Sequence, residues 1–577
     1  MHSFVRSVLA SVSGFLLVII LVVAVAAWRL DTQTDIEKHS WLHLDLYGDL
    51  PEYNPPAGLS GVLGGGAQTL QSILTSLDMA IVDDRIDGVV LQLSASQGAG
   101  GAKLEEIRNA VLRVRESGKP VLAYADNIDL KVIFTAAACD SFFCPPPAYV
   151  QCMGLDRAIP HVKEALDKLG VAPQLSVLKE YKSAAQVITR TDLTPEARAN
   201  AEMILNDFMA MYGEAIETGR GGQPAPLASW MQKALFTSRE AQETGIVDRV
   251  LYWDELESRF IPSGKELPRI VSGARYAEED PEDLDLGGDQ KIAVIHAQGN
   301  IGGRKNTVNP VLGLMMGHET INREIERALR DDDVVAIILR VDSGGGESLA
   351  SDLMGHKVEM ASRQKPVIVS MVDVAASGGY MMSYRASHIM ADEMTITGSI
   401  GSISGKFDMS GFNKKIGLGH SHVSAGANAR FMSDDEPFTA AEFALYEANH
   451  MADFQNWLDD VARAREMDVA EVEELAMGRV FTGRQALANG LIDEVGGLHE
   501  AVAAARRLAD IEPDKELGLW HLPVQQGLVE TVLGGPEEEL SAAGRWLLYT
   551  NIKQDLEMVR HSLVSENWQT INPIFTD

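Results

Sequence analysis

The sequence predicts an α/β fold written twice, each copy built on a mostly parallel sheet. Three observations carry this. Continuous apolar runs of strand length alternate with helix-periodic stretches, which is the pattern of strands buried on both faces and crossed by helices. Phe236, Thr237, Arg239, Ala241, Gly245, Ile246, Asp248 and Val250 recur as Phe481, Thr482, Arg484, Ala486, Gly490, Leu491, Asp493 and Val495, an offset of 245 throughout. Lys119-Pro120-Val121 recurs as Lys365-Pro366-Val367 at an offset of 246, each time ahead of an apolar run.

In chain order, Val8 to Trp28 contains no charged residue. At 1.5 Å rise per residue such a helix spans about 30 Å, the hydrocarbon thickness of a bilayer. We expect a membrane anchor at residues 1–30; the competing reading is a cleaved signal peptide ending near Ala24-Val25-Ala26. Arg6 on one side and Arg29 and Lys38 on the other leave the orientation open.

The first copy is expected over residues 41–265. Gly88 to Leu93 reads as a buried strand and Leu104 to Arg115 as the crossover helix, with a second strand starting at Val121. The second copy, over 291–510, repeats this with Val334 to Val341, Ser348 to Ser362 and a strand from Val367. Thr194 before Pro195-Glu196, and Thr439 with Glu442, are N-cap signals for a long helix in each copy. Residues 278–289 hold seven acids with Pro281, Gly287 and Gly288, so 266–290 reads as a solvated linker. The extension 511–577, with Trp520, Trp546 and Trp568, matches neither copy.

Fifty Lys and Arg against 82 Asp and Glu give a net charge of −32 over 577 residues. Such a field repels phosphate backbones and argues against nucleic acid as a partner. The three cysteines, Cys139, Cys144 and Cys152, are too few and too odd in number for a disulfide scaffold or a four-cysteine zinc site, and read as three buried thiols or, in an oxidising compartment, as one disulfide with a free thiol. His-Glu-x-x-His, Walker A and Gly-x-Ser-x-Gly strings are absent, so neither a metal nor another cofactor is implied.

The copies differ where chemistry is most easily placed. Ser377 lies in Ala375-Ala376-Ser377-Gly378-Gly379-Tyr380, directly after the Val367 to Val374 run, where a strand-to-helix turn can present a hydroxyl to a cleft. Its counterpart in the first copy is Lys131. Taken alone, Ser-Gly-Gly reads first as a tight turn that caps a helix. Lys182, in Tyr181-Lys182-Ser183-Ala184-Ala185, aligns with Ala427 and has small neighbours that permit burial. A lysine can act as a base only when desolvation lowers its pKa. Asp342-Ser343-Gly344-Gly345-Gly346-Glu347 closes the Val334 strand with amides suited to an oxyanion, and Ser399 in Thr397-Gly398-Ser399-Ile400-Gly401 could steady a neutral lysine.

Together these motifs resemble the signal peptide peptidase A family of bacterial serine proteases in its long, membrane-anchored form, across both copies and the anchor. The resemblance implies a ClpP/crotonase-like fold and a Ser-Lys dyad with Ser377 as nucleophile and Lys182 as base. It also implies a periplasm-facing enzyme of the bacterial inner membrane, a homo-oligomer (a tetramer), that degrades signal peptides and other hydrophobic peptides. Gly344 stands where that family's loop carries proline, which leaves Gly345 and Gly346 as oxyanion candidates beside Gly378. Two rival readings are a catalytically silent membrane scaffold and a crotonase-type acyl-CoA enzyme.

Overall fold

The computed structural model describes residues 36–523, apart from 47, 49, 54–67, 96–97, 220–226, 262–264, 266–267, 285, 310–312 and 513–514. The expected anchor, Trp546 and Trp568 lie outside the described residues. Among the described residues no helix is long and apolar enough to cross a membrane.

The first copy contributes strands β1 (Ser40–Leu46), β2 (Ile86–Leu93), β3 (Val121–Ala125), β4 (Ser141–Cys144), β5 (Ala172–Leu178), β6 (Arg249–Val250) and β7 (Ile270–Ser272). All but β5 form one sheet in the order β7-β1-β2-β3-β4-β6, every pairing parallel. The second copy contributes β8 (Lys291–Gln298), β9 (Val334–Ser343), β10 (Val367–Ala376), β11 (His388–Ala391), β12 (Ile396–Gly398), β13 (Ser402–Asp408), β14 (Val480–Thr482), β15 (Glu494–Val495) and β16 (Gly518–Leu522). Its main path, β16-β8-β9-β10-β11-β15, has the same order as the first sheet, and β12 with β14 branches from β10. Val89, Val90 and Leu91 in β2, and Ile337, Ile338 and Leu339 in β9, are fully buried, as strands covered on both faces require.

Two edge strands fall outside the boundaries expected from the sequence. β7 lies within the stretch read as a linker, where it pairs with β1, and the helix Gly273–Tyr276 that follows buries Tyr276 with its hydroxyl 3.0 Å from Asp83 Oδ2. β16 lies within the 511–577 extension and pairs with β8. Trp520 on β16 sits beneath Lys291 and Arg327, whose cations lie 4.8 and 4.7 Å from the ring centre.

The copies share a core. Ile107 and Val111 of helix α1 (Gly101–Glu116) belong to one buried cluster with Ile338, Val372, Met390 and Ala501, so the first copy's helix lies against the back of the second sheet. A charged layer crosses the same junction. Arg340 on β9 is fully buried, with Nε 2.8 Å from Glu52 Oε1 and Nη2 2.7 Å from Glu106 Oε1. Lys103 on α1 pairs with Asp342 at 2.9 Å, and Glu106 also accepts the Leu498 N–H. The copies are joined again by an antiparallel ribbon of β5 and β13, in register from Ala172 opposite Asp408 to Leu178 opposite Ser402. His450, buried on the helix Ala440–Ala464, ties the ribbon together, 2.8 Å from Ser176 Oγ and 2.7 Å from Ser402 Oγ.

Candidate active site

Ser377 ends β10 and opens the one-turn helix Gly378–Met381. Its φ of 56° and ψ of −115° are a strained conformation for a side-chain-bearing residue. Two hydrogen bonds hold it there: its N–H donates to Gly398 O at 2.9 Å, and its carbonyl accepts the Met381 N–H at 2.8 Å.

The ribbon delivers Lys182 to this serine. Its chain leaves β5 at Leu178, turns, and places Lys182 Nζ 2.9 Å from Ser377 Oγ, 2.9 Å from Ser399 O and 3.0 Å from Ser399 Oγ. The side chain is 6% exposed, and burial alone pulls its pKa from 10.5 down to about 8. Nζ stands within hydrogen-bond distance of three oxygens, the Ser399 carbonyl, the Ser399 hydroxyl and the Ser377 hydroxyl; in a neutral amine two of them would take its N–H bonds and the third would be left to its lone pair.

The three glycine candidates separate on their hydrogen bonds. Gly345 N–H donates to Ser343 Oγ at 3.2 Å, so this amide is already engaged. What position 345 requires is a missing side chain: at φ +98° a Cβ would lie 2.5 Å from Gly378 N and 2.9 Å from Ser377 Cβ. Gly346 forms a parallel bridge with Ile301 in which Ile301 N–H donates to Gly345 O and Glu347 N–H to Ile301 O. That pattern uses the groups flanking Gly346 and turns its own N–H to the opposite side. The amides of Gly346 and Gly378 donate to no protein acceptor among the described residues.

The first copy shows what this loop does with its amide. Gly100, the counterpart of Gly346 at the offset of 246, donates its N–H to Asp373 Oδ2 at 3.1 Å, so the same turn there holds a carboxylate. Lys131, the counterpart of Ser377, donates to Ala99 O at 2.8 Å. The first copy's equivalent of the site is therefore filled from within, by Asp373 of the second copy and by Lys131. Lys103 and Asp373 were not singled out by sequence reasoning. The offset itself could have raised them, since it pairs Lys103 with Leu349 and Asp373 with Asn127, differences between the copies beside the two glycine turns.

Cys139, Cys144 and Cys152 are free, buried thiols. Burial pushes them up to about 12, 11 and 11, and they take no part in the site.

The sequence profile of peptidase family S49 matches residues 113–261 and again 359–512, once in each copy. The chain belongs to peptidase family S49. It is 31% identical over 507 residues to the chloroplastic serine protease SPPA of Arabidopsis thaliana, covering 87% of this chain and 74% of that protein. It is 30% identical over 498 residues to Protease 4 of Haemophilus influenzae, covering 82% and 79%. With Protease 4 of Salmonella typhi the identity is 29% over 519 residues, covering 84% and 80%. This S49 chain is thus a serine peptidase, and the readings as a silent scaffold and as an acyl-CoA enzyme are set aside.

Proposed function

We propose that this S49 peptidase works through a Ser377–Lys182 dyad assembled within one chain. The observation that carries the proposal is the 2.9 Å approach to the Ser377 hydroxyl of a buried Lys182 amine that has no carboxylate partner among the described residues. Ser377 Oγ attacks the peptide carbonyl while its proton passes to neutral Lys182 Nζ, and the Gly378 and Gly346 amides receive the developing oxyanion. The ammonium then returns that proton to the leaving amine, giving an acyl-enzyme. Water, deprotonated by the regenerated amine, releases the acid product.

The substrates we propose are signal peptides released into the membrane and other hydrophobic peptides. The uncharged Val8 to Trp28 run supports a membrane anchor; that the membrane is the bacterial inner membrane and that the catalytic part faces the periplasm are proposed from the family resemblance. Self-assembly into a homo-oligomer, a tetramer by resemblance, is supported by the exposed apolar side chains Val177, Phe407, Ile416 and Leu418 around the ribbon. A parallel sheet crossed by helices, with a glycine loop at the end of its second long strand, suits the ClpP/crotonase-like arrangement implied by the family resemblance.

The pH–rate profile tests this reading with a quenched fluorescent apolar peptide. A base that must be neutral gives kcat/KM rising tenfold per pH unit and levelling off near pH 8, the depressed value of Lys182. A limb near pH 6.5, or none, would remove lysine from the mechanism. The same burial has a stability signature. Between pH 8 and 10.5 the unfolded chain binds a proton that the folded chain does not, so stability rises with pH across that window. Below it the buried ammonium costs roughly 3 kcal/mol, so Lys182→Met should raise the unfolding temperature at pH 7, with a gain that shrinks towards pH 10.5.

A further inference from the structure

The base comes from a loop of one copy and its supporting groups from a loop of the other, and a third segment threads between them. Residues 477–479, just ahead of β14, touch both. On the first side, Tyr181 N–H donates to Met477 O at 2.9 Å. Gly478, at φ +80°, packs so tightly on the lysine that a Cβ there would lie 2.5 Å from Lys182 N and 2.8 Å from its Cα. On the second side, Gly478 N–H donates to Ile400 O at 2.9 Å and Ser399 N–H to Arg479 O at 2.6 Å. The Arg479 guanidinium lies over the Tyr181 ring, 4.2 Å from its centre, and its buried Nε has no hydrogen-bond partner among the described residues. In a chain of net charge −32, an arginine left to an aromatic face is notable for where it stands, beside the residue preceding Lys182.

We infer that Met477, Gly478 and Arg479 form with Tyr181 a clasp that holds the Lys182 amine on Ser377 and shuts water away from it. Tyr181 and Arg479 are positioning residues. The cation on the ring ties the lysine loop to the segment that also fixes Ser399, so one contact sets both the direction and the dryness of the amine. The inference rests on the proposed dyad, and it explains how a loop outside either sheet keeps a lysine buried.

The test is the pH–rate profile of the full-length protein carrying Arg479→Met, Arg479→Lys or Tyr181→Leu, with the same fluorescent peptide. Opening the clasp lets water reach the amine and returns it towards the ordinary lysine range. Arg479→Met and Tyr181→Leu should therefore move the midpoint alkaline by about one pH unit and lower kcat about tenfold at pH 7, with KM within about twofold. Arg479→Lys, which keeps a cation above the ring, should move it less. If Arg479→Met fails to fold, Tyr181→Leu carries the same expectation. A uniform loss of activity with the midpoint unmoved in the folded variants overturns the clasp and leaves the dyad standing. A wild type with no limb near pH 8 overturns the dyad and the clasp with it.

Discussion

Ser377→Ala and Lys182→Ala should each lower kcat/KM on an apolar peptide by at least about 10⁴-fold, leaving circular dichroism and cooperative unfolding intact. The size follows from what each atom does. Without Oγ no acyl-enzyme can form, and without a neutral amine 2.9 Å away the hydroxyl keeps its proton. The remaining rate would come from the oxyanion amides and from substrate binding alone. Because the two groups act as a unit, the double variant should be no worse than either single one. A single variant retaining more than about one per cent of wild-type activity would contradict the dyad, and so would costs that multiply in the double variant. Both residues meet within one chain, so mixing Ser377→Ala with Lys182→Ala subunits should restore nothing; recovery would show sites shared between chains.

Arg340→Met should destabilise the protein by about 3–5 kcal/mol, read from denaturant unfolding. The guanidinium is fully buried and bonded to Glu52, Glu106 and the Ser370 hydroxyl, so its removal strands two carboxylates in the junction between the copies. Replacing all three charges together, Arg340→Met with Glu52→Leu and Glu106→Leu, should recover much of that loss, since none of the three is then left as an ion without its partner. Some loss will persist, because Glu106 also accepts the Leu498 N–H. A cost below about 1 kcal/mol for Arg340→Met would mean that water reaches the layer. Activity should fall with stability here, for the lysine and the serine come from different copies and meet only while those copies stay docked.

The duplication was legible because a helix start and a turn recur with their chemistry intact. Thr237 and Thr482 both cap helices, each in a capping box with the residue three positions on. Long central strands were legible for the same reason as their burial: Val334–Ser343 and Val367–Ala376 are mostly apolar, with Val334 to Leu339 uninterrupted and no alternation to misread. Edge strands were not. Ile270–Ser272 is three residues long and owes its form to pairing with β1, a contact that no local pattern announces. The ribbon escaped notice too, since Ala172–Leu178 is mostly half-exposed and has no apolar period.

Within the site, Ser377 and Lys182 were visible as residues that one copy has and the other lacks, Ser399 as a hydroxyl suited to steady a neutral lysine, and the structure brings all three together. The roles of neighbouring glycines were not visible. Gly345 and Gly346 are the same letter, and only the Ser343 hydroxyl on one amide and the Ile301 bridge around the other tell them apart. Tyr181 was visible only as the neighbour of Lys182 and Arg479 not at all, because what matters is a stacking across 298 positions of chain.

The most direct test of the central claim is the rate at which a fluorophosphonate probe labels the protein as pH is varied, with the modified residue mapped by mass spectrometry. The account predicts one labelled residue, Ser377, with a rate rising through a midpoint near pH 8 and lost in Lys182→Ala. Labelling at another serine, or labelling of Ser377 in Lys182→Ala at the wild-type rate, would contradict it.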